Sequence, residues 1–128
     1  MKSYVGFRTN RDGNGRGDAV VNVLETDKPP RPLNPRLDLR SHSPTGFEWG
    51  YPGSGPAQLA LALAADVLKD DDRALLIYQR LKFELVGGFA DEGWTLTEAR
   101  LWGIISALEE QRDNPAQWQS GGSCGDCG

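Results

Sequence analysis

A chain of 128 residues, 38% hydrophobic and 25% charged, has the size and composition of one globular domain with one core. Its 14 Lys and Arg against 18 Asp and Glu leave a net charge of −4 with no dense basic run, which argues against a protein built to grip a long phosphate backbone, because that affinity comes from neutralising many phosphates at once. No apolar run is long enough to span a bilayer and the opening MKSYVGFRTNRDGNG lacks the apolar centre of a signal peptide, so a cytoplasmic protein without membrane contact is expected.

In chain order, SYVGFRT (3–9) and DAVVNVLE (18–25) are rich in β-branched and aromatic residues and are separated by NRDGNGRG, which is dense in turn formers. They read as a β-hairpin. The connector TDKPPRPLNPRLDLRSHSP carries five prolines, so it runs extended over the surface, with an edge strand expected near Leu37 to Leu39. Next comes HSPTGFEWGYPGSGP, which gathers the only histidine, three aromatics and four glycines into one loop.

After the loop the period changes. In GPAQLALALAADVLK, Leu59, Leu61, Leu63, Val67 and Leu68 with five alanines fall nearly all round a helix, the pattern of a central buried one. Ser54 is placed to cap it and Pro56 fits its first turn. KDDD then breaks the pattern, with Asp71 and Asp72 suited to the start of a second helix, RALLIYQRLKFELV. There Ala74, Ile77, Tyr78, Leu81 and Leu85 form the apolar stripe, Leu76 and Phe83 widen it, and Gly87 and Gly88 end it. A third helix is expected from TLTEARLWGIISALEE, with Thr95 and Glu98 at capping-box spacing and Leu101, Ile104, Ile105 and Leu108 on one face; Gly103 inside it marks a close helix approach. The expected architecture is α+β: a small N-terminal antiparallel sheet packed on three helices, as one domain over 1–118 with a disordered Gly/Cys tail at 119–128.

Charge divides near the loop: residues 1–55 hold eight Lys/Arg against six Asp/Glu, and residues 56–128 hold six against twelve. The acidity belongs to the helical half. Arg8, Arg11, Arg16, Arg31, Arg36 and Arg40 read as solvated on loops or facing one small anion. Cys124 and Cys127 form a C-x-x-C pair in a glycine-rich tail, two thiolates where a closed zinc site needs four ligands, so no metal or cofactor is assigned.

The loop carries the functional expectation. A glycine-rich turn entering a helix N-terminus presents backbone N–H groups and the positive end of the dipole to an anion, although GYPGSGPAQ satisfies neither nucleotide-binding glycine fingerprint. If GFEWGY is extended, Phe47, Trp49 and Tyr51 share one face, able to pack on the core or to stack a base. The expected ligand-binding set is Arg40, His42, Glu48, Trp49, Tyr51, Ser54 and Gly55, around a small anionic, nucleotide-like ligand. His42 with Glu48 is the one acid/base pair that a hydrolase or transferase reading has, and no catalytic motif supports it, so no catalytic residue is assigned.

The residues His42-Ser43-Pro44, Gly46-Phe47-Glu48-Trp49-Gly50-Tyr51 and Gly53-Ser54-Gly55-Pro56-Ala57-Gln58-Leu59-Ala60, followed by Tyr78-Gln79-Arg80 and Phe83-Glu84, resemble a small uncharacterised domain family of bacteria, plasmids and phages. The likeness runs over about residues 3–110. What it implies is a mobile-element setting, in which a small non-enzymatic protein acts against host defence by sequestering a nucleotide signal or by binding a protein. In the second case the acidic helices, with Asp70, Asp71, Asp72, Glu109 and Glu110, face a basic host defence protein. A homo-oligomer is also expected, with Trp94, Trp102 and Trp118 available for an interface.

Overall fold

The structure, a computed structural model, describes residues 2–9, 18–44 and 46–112. The expected tail, Trp118 and the hairpin turn lie outside the described residues.

Period-2 patterning builds the sheet. In β1, Lys2–Thr9, Lys2, Tyr4, Gly6 and Arg8 are buried and the residues between them half-buried. β2, Asp18–Glu25, pairs with it antiparallel from Lys2↔Glu25 to Thr9↔Asp18, which sets Val21 and Val23 on the same inner face as Tyr4. The expected hairpin is therefore present. The edge strand is not at Leu37 to Leu39 but at β3, Arg31–Pro32, where Arg31 pairs with Val23 and Pro32 with Asn22. Residues 36–39 turn instead, with Arg36 at φ 57° and the Leu39 N–H donating to the Arg36 carbonyl at 3.0 Å.

A fourth strand, β4 at Gly93–Thr97, pairs antiparallel with β1 on its other side and completes the order β3-β2-β1-β4. The expected helix start at Thr95 is corrected by this. Trp94, Thr95, Leu96 and Thr97 are strand formers with alternating sides, and pairing with β1 outweighs the local capping pattern. Leu96 reaches the inner face opposite Tyr4 and is buried. The cap moves two residues on, to Thr97, whose Oγ1 accepts from the Arg100 N–H at 3.2 Å.

α1, Ser54–Leu68, is the core. All its residues but Ser54 and Asp66 are buried, because alanine on several sides lets α2 and α3 approach closely while Leu59, Leu61 and Leu63 lose all contact with water. Each such leucine contributes about 1.5–3 kcal/mol. Lys69 ends the helix in the left-handed region at φ 54°, and Asp70 at once caps α2, Asp71–Glu84, by accepting from the Arg73 N–H at 3.2 Å. α2 buries Ala74, Ile77, Tyr78 and Leu81 as expected. Leu76 and Phe83 do not widen that stripe. They lie seven residues apart on the face turned away from α1 and are 62% and 65% exposed.

α2 leads through a 3-10 turn at Val86–Gly88 to β4, and α3, Glu98–Arg112, closes the core with Leu101, Ile105 and Leu108 against α2 and α1. Gly103 is exposed with no atom within 4 Å of where a Cβ would sit, so it marks no close approach. The architecture is α+β, one four-stranded antiparallel sheet with its helices following it.

Candidate binding site

The loop expected to bind a ligand is held by a buried amide. Gln58, on the first turn of α1 and with no exposed surface, accepts through Oε1 from the N–H groups of His42 at 2.7 Å and Ser43 at 3.1 Å. Its Nε2 donates to the carbonyls of Pro35 at 2.6 Å and Arg40 at 3.0 Å. Both lone pairs and both protons are used, so one side chain replaces the backbone partners that the proline-rich connector cannot supply to itself.

His42 is half-buried, and its Nε2 shares a 2.7 Å hydrogen bond with the Tyr78 hydroxyl, which also accepts from Gln79 Nε2 at 3.2 Å. Glu48 has a different partner. Arg8, whose side chain has no exposed surface, reaches from β1 and donates to both carboxylate oxygens of Glu48, at 3.0 and 3.3 Å, and to Asp91 through its carbonyl at 2.7 Å and its side chain at 3.2 Å. The guanidinium lies 4.5 Å over the Trp49 ring, and the Trp49 indole N–H donates to the same Asp91 carbonyl at 3.1 Å. His42 and Glu48, the pair that an acid/base reading needs, thus answer to separate internal partners.

Several expectations for the loop are corrected here. Trp49 is wholly buried, edge-on to Trp94 with ring centroids 5.6 Å apart, and offers no face to a ligand. Tyr51 does not share the face of Phe47 and Trp49, which both pack on the core, because Gly50 turns the chain at φ 89° and leaves Tyr51 39% exposed. Ser54 does not cap α1; the cap residue is Gly53, with no side-chain hydrogen bond, and Ser54 is the exposed first helical residue. Gly55 is buried because a Cβ there would stand 2.6 Å from Glu48 Cβ. Arg40 is exposed and donates to the Leu39 carbonyl at 2.8 Å. Of the seven residues, Glu48, Trp49 and Gly55 are brought together as packing, while Arg40, Tyr51 and Ser54 remain at the surface.

The acidic helical face is likewise partly spent. Asp70 caps α2, Asp71 takes two hydrogen bonds of 3.0 Å from Arg36, and Glu109 takes bonds of 2.7 and 3.1 Å from Arg73, whose guanidinium also lies 5.5 Å over the half-buried Trp102. Asp72 and Glu110 stay exposed. The hydrogen bonds that Arg36 donates to Asp38 and Asp71 hold it above its ordinary pKa, and the Arg36 contact holds the Asp38 carboxyl below its own.

A polar centre that sequence reasoning missed sits towards the other end of α1. Asp66 accepts from Tyr4 at 2.7 Å and from Lys2 and Arg31 at 3.1 Å each. Burial pushes its carboxyl up, but the three donors together outweigh this and hold it below the carboxylate range. Burial and the same contact push the Tyr4 hydroxyl far above its usual value. The only sequence signal was an aspartate interrupting an otherwise apolar helix. Beside Asp66 lies an open cavity of about 430 Å³ lined by Arg31, Asn34, Arg36, Lys69 and Asp71, and the Lys69 ammonium has no ion-pair partner among the described residues.

Sheet, buried central helix and internally bonded loop define an α+β module whose polar groups mostly serve its own architecture. The chain belongs to the DUF6166 family, a family of unknown function, which matches residues 4–107. No curated protein and no solved structure matches it. Among the described residues no helix is long and apolar enough to cross a membrane.

Proposed function

We propose that the domain is a non-enzymatic module that works by binding another protein through the outer face of α2. The observation that carries this is the pair Leu76 and Phe83, two large apolar side chains 62% and 65% exposed at one-face spacing. Covering the exposed part of each by a partner contributes about 1–2 kcal/mol. Lys82 lies 4.3 Å over the Phe83 ring, which gives the patch a polar rim. The reading keeps the protein-binding class expected from the sequence but moves the contact from acidic side chains, several of which are paired internally, to apolar ones. In the mobile-element setting implied by the resemblance, the partner is a component of a host defence system. The test is a photo-crosslinking amino acid at position 76 or 83, with the exposed Glu110 position as control. A partner crosslinked from the two α2 sites and not from position 110, and losing affinity for purified Leu76→Lys protein, supports the reading. Equal crosslinking from all three sites overturns it.

A second reading, capture of a small anion, is favoured by the 430 Å³ cavity with Arg31, Arg36 and Lys69, the last without an ion-pair partner among the described residues. It shifts the anion from the 42–58 loop to the C-terminal end of α1. A thermal-shift panel of phosphate and mono-, di- and cyclic nucleotides tests it, since a ligand at 100 times its dissociation constant adds about 2.7 kcal/mol. A shift that Lys69→Ala removes supports it, and a panel without shifts ends it.

A further inference from the structure

The two edges of the sheet are built differently. β3 is only Arg31 and Pro32, preceded by Pro29 and Pro30, so that edge is short, charged and poor in N–H donors, which are devices that stop a sheet from adding strands. The opposite edge, β4, runs for five residues, Gly-Trp-Thr-Leu-Thr, with no charge and no proline. In an antiparallel ladder alternate residues of an edge strand turn their N–H and C=O groups away from the sheet. Trp94, Thr95 and Leu96 make no backbone bond to any described element other than β1. β4 has none of the protections that β3 has.

A cavity of about 350 Å³ lies beside this edge, lined by the apolar Leu85, Phe89, Trp94 and Leu96 and by Glu84 at the end of α2 and Arg100 in the first turn of α3. Both charged side chains are exposed, and neither has an ion-pair partner among the described residues. A cation and an anion on different elements flank one apolar hollow next to an open strand.

We propose that β4 is the contact edge of a homodimer, in which a second copy of this chain adds its own β4 antiparallel and doubles the four-stranded sheet. A two-fold axis at Thr95 sets Gly93 against the partner's Thr97, Trp94 against the partner's Leu96 and Thr95 against the partner's Thr95. No like charges meet, and the exposed Thr95 side chains form a Thr–Thr pair of the kind that stabilises a ladder. The same axis makes the flanking charges complementary, Glu84 to the partner's Arg100 and Arg100 to the partner's Glu84. A second copy fits better than a foreign peptide because the strand and the charges beside it are each their own complement. Glu84 stands next to Phe83 on α2, but the β4 contact uses neither Leu76 nor Phe83, so the two proposals are argued from different observations.

Sedimentation velocity of the full chain over a range of concentrations tests the proposal, on wild type, Thr95→Lys, Glu84→Arg, Arg100→Glu and the double charge swap. Wild type is expected to dimerise. Thr95→Lys, which places a lysine opposite its own copy, is expected to be monomeric, and its thermal midpoint to match wild type at concentrations low enough for wild type to be monomeric too, since Thr95 is exposed. Each single reversal is expected to weaken the dimer roughly tenfold or more, and the swap to recover it. A wild type that stays monomeric, including one that instead takes up an extended peptide along β4, overturns the proposal. A dimer that Thr95→Lys leaves intact, or single reversals that the swap does not rescue, also overturn it.

Discussion

Arg8 holds Glu48 at two points, Nη2 to Oε1 at 3.0 Å and Nη1 to Oε2 at 3.3 Å, with no part of the arginine side chain exposed. The pair ties β1 to the loop ahead of α1, and Asp91 ties both to the approach to β4. Arg8→Lys keeps the charge but loses the two-pronged contact and the flat surface that covers Trp49. Arg8→Ala leaves Glu48 without its guanidinium, and breaking a fully buried pair costs about 3–5 kcal/mol, less here because the Glu48 side chain is 28% exposed. Urea denaturation is expected to show that loss for Arg8→Ala and a smaller one for Arg8→Lys, with the near-UV signal of Trp49 altered in both. An Arg8→Ala variant as stable as wild type would refute the contact's structural role.

Gln58 is a second joint of the same kind, and its two ends separate by substitution. Gln58→Leu strands two N–H groups and two carbonyls at about 1–3 kcal/mol each, and the expected outcome is a protein unfolded at room temperature or nearly so. Gln58→Glu retains both acceptor contacts to His42 and Ser43 but turns a carboxylate towards the Pro35 and Arg40 carbonyls. It should be destabilised at neutral pH and partly recover in mild acid, where protonation restores one donor. Thermal midpoints of the two variants at about pH 5 and about pH 7.5 distinguish these outcomes.

Much of the fold was legible because it rests on local pattern. The hairpin followed from β-branched runs around turn formers, and α1 from apolar residues on all sides of a helix. β4 was not legible, since Thr95 and Glu98 mimic a helix start and only the free side of β1 makes the segment a strand. Arg8 was unreadable for a related reason: at an alternating strand position an arginine gives no sign that it is the buried one, and its partner lies 40 residues away. The loop's glycines and aromatics were correctly marked as unusual, yet the same composition serves a ligand or close packing. The long-range partners of Glu48, Trp49 and Gly55 decide for packing.

Gly55→Ala isolates that packing. The added methyl would stand 2.6 Å from Glu48 Cβ and 3.1 Å from its backbone nitrogen, so the loop must move away from α1. Overpacking of this kind costs about 1–3 kcal/mol, against the few tenths or more that alanine gains over glycine within a helix. A net loss in the urea midpoint is expected. A gain would mean that the loop yields freely.

Asp66 sets the acid limit of the fold. Its carboxyl is held below the ordinary value of 3.8 in the folded chain, so as pH falls the unfolded chain takes up the proton first. The stability from its charge is whole above the ordinary carboxylate range and is lost as pH drops through the lower folded value. Tyr4 acts in the opposite direction: its raised pKa favours the folded state until pH rises past the ordinary value of 10.0. Asp66→Asn is expected to cost about 3 kcal/mol near pH 7, because Lys2 loses its counter-charge and Arg31 keeps only the longer contact with Glu25. The deficit relative to wild type should narrow from about pH 5 to about pH 2.5. Parallel denaturant midpoints over that range measure it, and a deficit constant with pH would remove Asp66 from the account.

Leu76 and Phe83 separate function from fold most cleanly. Neither belongs to the buried stripe of α2, so lysine at either site removes little packing, and lysine is as good a helix former as leucine and better than phenylalanine. Stability is expected to change by less than about 0.5 kcal/mol for each, as for surface sites in general. Binding should respond differently. A charge buried unpaired in an apolar interface costs more than the loss of about 1–2 kcal/mol of apolar cover, so either substitution should weaken the partner's affinity by at least roughly tenfold. Calorimetric titration of the crosslinked partner into Leu76→Lys, Phe83→Lys and a Glu110→Lys control reads this directly, with thermal midpoints taken on the same samples. Affinity lost in the first two and kept in the control assigns the outer face of α2 to the partner. Unchanged affinity in all three, at unchanged stability, would leave that apolar face without a role in binding and refute the proposed function.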